Sequence, residues 1–254
     1  MTTPVTFVLL DRFVEPDMRV VAAALRSRHP DMSVEVLDAP GKSGQRPMLI
    51  CDGRMVVVMS MPAPIPRDDA VVNRALMTWP AAHATFDNHR AHLVVAPLGD
   101  SESTLSIART ITAVIGGLIA TVPACVGVLW NGQVAHPAER WLEMSRAAFA
   151  PYPNYPFTAW VGIHPFRYDS GIGAVTSGLS WFIGREIEFE GGAVDLSNVV
   201  NKVAGLAVYL IERGTAIGDG DTCGGGETER MKVHHIISRR FSGLPVLFVT
   251  AQAA

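Results

Sequence analysis

The chain has 254 residues, of which 48% are hydrophobic and 18% are charged, and its formal net charge is −3 at pH 7. A chain of this length and composition buries a substantial core, which excludes intrinsic disorder, a collagen-like fibre and a small disulfide scaffold. The slightly negative balance provides no global basic field for nucleic acid or an anionic membrane, so we expect neither as a partner.

The cysteine content indicates a reducing compartment. Cys51, Cys125 and Cys223 are odd in number and form no Cys-x-x-Cys motif, which favours reduced thiols over a secreted disulfide framework. The N-terminus lacks the pattern of a signal peptide. In the most apolar stretch, the uncharged residues 111–122 are fewer than the roughly 20 that span a bilayer. We therefore expect a cytoplasmic protein in which this stretch is a buried helix.

Hydrophobic patterning predicts alternating strands and helices in residues 1–100. The Asp52-Gly53 pair between two apolar runs predicts a tight β-hairpin, and Asp68-Asp69 predicts the start of a helix that ends near Trp79. Strands are predicted at 6–10, 34–37, 48–51, 54–59 and 93–98, with a first helix between 15 and 30. We interpret this order, which has one strand more, as a ferredoxin-like β-α-β-β-α-β unit, an antiparallel sheet with two helices on one face.

The remainder of the chain predicts a second sheet-and-helix lobe. Helices are predicted from Ser101 or Ser103 to 122, from Pro137, and after the capping residue Asp195. Strands are predicted at 126–130, 157–166, 174–182, 186–189, 231–237 and 246–250, and the proline-rich residues 151–156 form a candidate linker. The fold class is therefore α+β, with lobes at 1–100 and 101–254 that share a core or form one single domain.

One segment contains part of a phosphate-binding loop. The sequence Pro40-Gly41-Lys42-Ser43 supplies the Gly-Lys-Ser end of that motif, but Val36 stands where its first glycine is needed. A strand rather than a helix is predicted to follow. This pattern favours a plain surface loop over nucleotide binding.

The glycine-rich segment 218–226 is the most unusual part of the sequence. Asp219, Asp221 and Gly224 resemble the start of a calcium loop, but Arg230 stands at the twelfth position, where a bidentate Glu is needed. The segment follows a predicted helix, so a glycine turn at a helix C-terminus is the simpler interpretation. A loop that binds a ligand or partner stays open as an alternative, and no metal site is expected.

The histidines and the acidic strand suggest structural roles. Neighbouring residues of a strand point to opposite faces, so His234 and His235 diverge, as His89 and His92 do at their odd spacing. We interpret these and His83 as satisfied or surface histidines. The alternation of Glu186, Glu188 and Glu190 is read as a solvated edge strand rather than a catalytic pair.

Several short segments, taken together and in this order, resemble a bacterial family of unknown function, domain-of-unknown-function family 4261. They are 61–66, the Trp79-Pro80 helix end, 89–95, 127–130, 160–162, 177–179, 185–188 and 219–222. Cys223 departs from the apolar residue that the family pattern has after Asp-Gly-Asp-Thr. The resemblance implies a common fold, and it implies no activity and no catalytic residue.

Two functions are compatible with the sequence. The first is a non-catalytic interaction protein, of regulatory, accessory or immunity type, with a protein partner bound near 62–66 and 219–222, since loops often carry function. A second copy of the chain, paired through an open sheet edge, is a weaker option. The candidate binding residues are Asp219, Asp221, Thr222, His92, Trp79, Trp130 and His235.

The alternative is a hydrolytic or metal-dependent enzyme. In that interpretation Asp219 and Asp221, with His234 or His235, act on a bound metal ion or water. No catalytic residue and no cofactor is assigned, because no motif has complete chemical spacing.

Overall fold

A computed structural model describes residues 4–37, 48–99, 103–192, 195–226, 229–241 and 243–251. It confirms the α+β fold class, with helices and two sheets. The chain divides into units of residues 1–159 and 160–254. The division therefore lies just after the predicted linker at 151–156 and not at 100/101. The reason is that two strands after residue 100 extend the first sheet.

The first unit contains a seven-stranded sheet and five helices among its described residues. The strands are β1 (Thr6–Leu10), β2 (Val34–Leu37), β3 (Met48–Cys51), β4 (Arg54–Met61), β5 (Ala91–Leu98), β6 (Cys125–Trp130) and β7 (Val134–Pro137), and the helices are α1 (Met18–Arg28), α2 (Asp69–Ala75), α3 (Ala82–Asn88), α4 (Thr104–Thr121) and α5 (Ala138–Met144). The strand order is β2-β3-β4-β5-β1-β6-β7, with every pairing antiparallel. This sheet is larger than the predicted ferredoxin-like unit, and β7 and α3 were not predicted.

Local signals in the sequence position these elements. Asp52 and Gly53 both adopt positive φ between β3 and β4, as the hairpin prediction requires. Asp68 caps α2, and its carboxylate accepts backbone N–H groups of the first turn. Ser103 caps α4, whereas the alternative start, Ser101, and the loop at 40–43 lie outside the described residues.

Helix α4 is the centre of the first unit. Among the described residues it is the one helix whose length and apolar composition would suffice to cross a membrane. Its residues 110–118 are all buried, and α1 and α5 pack against it. The long apolar stretch is thus a core helix in this fold, as its sequence predicts.

The second unit contains a six-stranded sheet and two helices among its described residues. The strands are β8 (Gly162–Tyr168), β9 (Gly171–Ser177), β10 (Glu186–Glu190), β11 (Thr222–Gly226), β12 (Glu229–Ile237) and β13 (Pro245–Ala251), and the helices are α6 (Ser180–Ile183) and α7 (Leu196–Arg213). The order is β11-β12-β13-β10-β9-β8, and β10 pairs with β13 in parallel and with β9 antiparallel. The acidic strand β10 is therefore interior to the sheet, and its prediction as a solvated edge is wrong.

Two strands predicted between residues 157 and 182 are shorter than expected. Residues 157–159 form a 3₁₀ turn, so β8 begins only at Gly162. Residues 174–182 do not continue as one strand, because Gly178 adopts positive φ and α6 starts after it. The carboxylate of Glu186 accepts the N–H groups of Leu179 and Ser180 and thereby fixes this turn.

A close backbone approach in the first unit gives a testable prediction. A Cβ atom on Gly127 would lie 2.6 Å from the Trp79 ring and 3.3 Å from Leu9. We expect Gly127→Ala to lower the free energy of unfolding by about 1–3 kcal/mol, because a packed core does not absorb an added methyl group. Urea unfolding followed by circular dichroism measures this.

The matched control is Gly205→Ala, at an exposed position of α7 where an added Cβ meets no atom within 4 Å. We expect this substitution to raise the free energy of unfolding by about 0.5–1 kcal/mol, since alanine loses less backbone entropy in a helix. A Gly127→Ala variant as stable as the wild type would contradict the packing of Trp79 described above.

Candidate functional site

The two faces of the second sheet differ in character. Side chains alternate along a strand, so Ile187 and Phe189 of β10 share one face, and both are buried. Helix α7 packs on the sheet and contributes its own buried aliphatic side chains. Glu188 and Glu190 point to the other face. The alternation noticed in the sequence therefore separates an apolar core from an acidic surface.

A cavity of about 720 Å³ lies against this second face. It is lined by Glu188, Glu190, Asp219, His234, His235, Ile236, Arg239, Arg240 and Phe248. Strand register explains part of the set, because Glu188 pairs with Phe248 and Phe248 pairs with His234. Paired residues point to the same face, so a carboxylate, a phenyl ring and an imidazole form one row across three strands.

Arg240 is held in place by acids and aromatic rings. Its guanidinium donates to Glu190 Oε1 at 2.6 Å and lies 3.5 Å from Glu188 Oε1. The same group is 4.8 Å from the ring centroid of Phe166 and 5.5 Å from that of Tyr168, both on β8. The hydroxyl of Ser238 accepts the backbone N–H groups of Arg240 and Phe241 and fixes the turn that carries Arg240.

Glu188 is the most deeply buried acid of the cavity. Its side chain is 4% exposed. Its Oε2 accepts no hydrogen bond from any residue that the structure describes. An ionised carboxylate out of water is stable only where charges or donors compensate it. The 3.5 Å approach of Arg240 to Oε1 exceeds a good hydrogen-bond length and leaves Oε2 without a donor.

Asp219, which the sequence proposed as a binding residue, lines this cavity from the turn before β11. Its Oδ1 accepts the backbone N–H of His235 at 2.8 Å and lies 3.6 Å from His234 Nδ1. The His235 N–H, helped by the nearby imidazoles, holds the pKa of Asp219 below its usual value. Asp219 is therefore an ionised group that ties the glycine-rich turn to β12.

The other residues proposed in the turn have local roles. Asp221 accepts the N–H of Gly218 at 2.7 Å, which closes the turn. Thr222 is exposed at the start of β11. His235 lines the cavity, while its Nε2 contacts the carbonyl oxygen of Ile217 at 3.1 Å. Of the predicted set, the structure thus brings together Asp219, His234 and His235.

Three further candidates, His92, Trp79 and Trp130, lie in the first unit and do not line this cavity. Trp79 packs in a cluster formed by α2, α3 and neighbouring strands. Trp130 is fully buried, 6.1 Å from the ring of Trp141. Trp79 and Trp130 therefore pack in the core, which is the usual place of large aromatic side chains.

His89 and His92 hold the connector, residues 61–66, against the first sheet. The Ile65 N–H donates to His89 Nε2 at 2.9 Å, so the other ring nitrogen carries the proton and donates to a carbonyl oxygen. His92 Nδ1 bonds the carbonyl oxygen of Ala63 at 2.7 Å. Both histidines are buried and hydrogen-bonded, as the interpretation of satisfied histidines predicts.

The first sheet also has two unlike faces. One face packs on α1, α4 and α5, and its side chains are buried. On the other face α2 and α3 pack over β1, β6 and β7, and no described helix of this unit packs over the β2–β5 end. The side chains of that end, called here the methionine face, are Glu35, Leu37, Met48, Ile50, Met55, Val57, Met59, Met61, His92, Val94, Ala96 and Leu98.

Apart from Glu35 and His92, the methionine face is apolar, and several of its side chains are accessible. Met59 is 44% exposed, Met61 41% and Leu98 48%. Met61 also begins the connector at 61–66, so the rigid proline-rich segment borders this face. Sequence reasoning identified the connector but missed the face, because the order of the strands decides which alternating residues stay uncovered.

A buried histidine gives a prediction for the pH dependence of stability. Burial lowers the pKa of His136 to about 4, and its Nε2 has no hydrogen-bond partner among the described residues. The unfolded chain binds a proton at His136 more readily than the folded protein does. The contribution of neutral His136 to the free energy of unfolding is therefore complete above about pH 6.5 and is lost as pH falls towards 4. We expect His136→Phe to flatten the loss of unfolding free energy between these two pH values.

The control for this pH dependence of the free energy of unfolding is Trp141→Phe, at a ring that contacts His136 but does not titrate. That variant should lower stability by a similar amount at each pH. A wild-type slope in His136→Phe, measured by urea unfolding from pH 7 to 4, would contradict the assignment.

The hydrogen bond from the His235 N–H to Asp219 Oδ1 gives a further prediction. Asp219→Ala removes the acceptor of the His235 N–H, whereas Asp219→Asn keeps an oxygen in the same place. We expect the His235 amide to exchange with deuterium faster in the alanine variant than in the wild type, with the asparagine variant close to wild type. Equal exchange in all three proteins would show that this hydrogen bond does not form in solution.

The comparisons with known proteins concern the second unit. No curated protein and no solved structure gives a significant match to the chain. A family model described as Domain of unknown function (DUF4261) matches residues 175–245. This segment contains every lining residue of the cavity except Phe248. Over β10, α7, β11 and β12, the chain therefore resembles this family of unknown function.

Proposed function

We propose that this protein is a non-catalytic, cytoplasmic interaction factor, of regulatory or immunity type, that binds a protein partner through the methionine face. The observation that carries the proposal is the exposure of Met59, Met61 and Leu98 on a sheet face that is mostly apolar. Contiguous exposed apolar surface is typical of sites that contact another macromolecule.

The composition of the face supports a protein as the occupant. Methionine side chains are flexible and polarizable, so a Met-rich surface adapts to the side chains of a partner. The adjoining connector is fixed by His89 and His92, and a surface that is already ordered loses little entropy on binding. The three cysteines are unpaired thiols, which supports the cytoplasmic location.

The enzymatic alternative has less support. Of its predicted acid–base groups, Asp219 and His234 are close, whereas the carboxylate of Asp221 closes its own turn. The described residues contain no group of three or more His, Cys, Asp or Glu side chains placed to hold a metal ion. The cavity of the second unit is consequently more suited to binding than to the predicted hydrolysis.

The test compares partner capture by the wild type and by a double variant, Met59→Glu with Leu98→Glu. Two charges on the face should abolish burial of its apolar area, so we expect at least a ~100-fold weaker Kd for the authentic partner. Proteins captured from the native host are quantified by mass spectrometry. The strongest candidate is then purified and titrated against both proteins.

The matched control is Val20→Glu, at an exposed apolar position of α1 outside the methionine face. It should bind the partner as the wild type does. Sedimentation of the wild type and the double variant shows whether the partner is a second copy of the chain. Retention of every wild-type partner by a folded double variant would refute the proposal.

A further inference from the structure

The cavity on the second sheet has a chemistry that partner binding by the methionine face does not use. We propose that it binds an organic cation, namely a primary ammonium or guanidinium group on a short hydrocarbon chain, with Glu188 as the acceptor. This second site is independent of the proposed function of the first unit.

Glu188 supplies the anchor for such a ligand. Its side chain is almost fully buried and lines the cavity, and Oε2 accepts no hydrogen bond from the described residues. A hydrogen bond from a charged donor to a carboxylate is about twice as strong as a neutral one. A ligand N–H that donates to the Glu188 carboxylate from the cavity therefore compensates its charge.

The charges around Glu188 favour a cation over an anion. The lining contains three carboxylates, Glu188, Glu190 and Asp219, and two guanidinium groups. Arg240 is bonded to Glu190 at 2.6 Å and lies against the rings of Phe166 and Tyr168, so it is not placed to serve Oε2. Counted over these carboxylates and guanidinium groups, the lining carries one net negative charge, which attracts a cationic ligand.

The same face offers a surface for hydrocarbon. Phe248 lies between Glu188 and His234 in the strand register, and Ile236 lines the cavity on the same face. A volume of about 720 Å³ falls in the range of small-molecule sites, which are mostly apolar with a few placed polar groups. An alkyl chain on Phe248 with its charged end at Glu188 fits both features.

Two sources carry this chemistry, a free alkylamine or alkylguanidine and a Lys or Arg side chain of a protein segment. Calorimetric titration of the full chain with butylamine and butylguanidine tests the first source. Acetylated and amidated Gly-Lys-Gly and Gly-Arg-Gly test the second. Butanol and butyrate, of similar size but neutral or anionic, are the ligand controls.

Two substitutions in the cavity lining with opposite expected effects on the affinity for cations make the test specific. Glu188→Gln keeps the shape of the side chain and removes its charge, and we expect at least tenfold weaker cation binding. Arg239→Gln removes a positive charge from the lining, and we expect the affinity for cations to increase about two- to threefold. Glu212→Gln, on the exposed side of α7, changes the net charge by the same amount as Glu188→Gln and should leave the affinity unchanged.

If Glu188→Gln does not fold, Ile236→Trp fills the cavity without altering a charge and should abolish binding. Tighter binding of the peptides than of the free amines identifies a protein side chain as the ligand, and the reverse identifies a small molecule. Absence of cation binding at millimolar concentration overturns the proposal. Equal binding of butanol or butyrate, or wild-type affinity in a folded Glu188→Gln variant, also overturns it.

Discussion

Each sheet of this protein must bury one face, and in each unit helices of the same unit cover one face more fully than the other. In the first unit α1, α4 and α5 pack on one face, while α2 and α3 pack over only part of the opposite face. In the second unit α7 packs on the sheet and leaves the row of Glu188, Phe248 and His234 along a cavity. Because side chains alternate along a strand, the same strands that form the cores also form the candidate binding surfaces.

The elements that depend on local chemistry could be predicted from the sequence. Asp52-Gly53 specified the hairpin because few residues adopt two successive positive φ angles. Asp68-Asp69, Ser101 or Ser103, and Asp195 predicted helix starts. In the structure the side chains of Asp68, Ser103 and Asp195 accept backbone N–H groups of the first turn. These signals act within a few residues, so the rest of the fold does not alter them.

The candidate sites could be predicted only in part, because they depend on strand order. The alternation of Glu186, Glu188 and Glu190 is visible in the sequence, but the pattern of an edge strand and that of an interior strand facing a cavity are alike. Only the pairing of β10 with both β9 and β13 distinguishes them. The residues around Met59 are likewise ordinary strand residues until the sheet order shows that no described helix of the unit packs over them.

Oxidation of methionines by dilute hydrogen peroxide, followed by mass spectrometry, tests the central claim most directly. Rates of sulfoxide formation depend on the access of solvent to the sulfur atom. Met59 and Met61 should react about as fast as the highly exposed Met77, and much faster than the buried Met18. Rates for Met59 and Met61 as low as that of Met18 would show that the methionine face is covered in the isolated protein and would contradict the account.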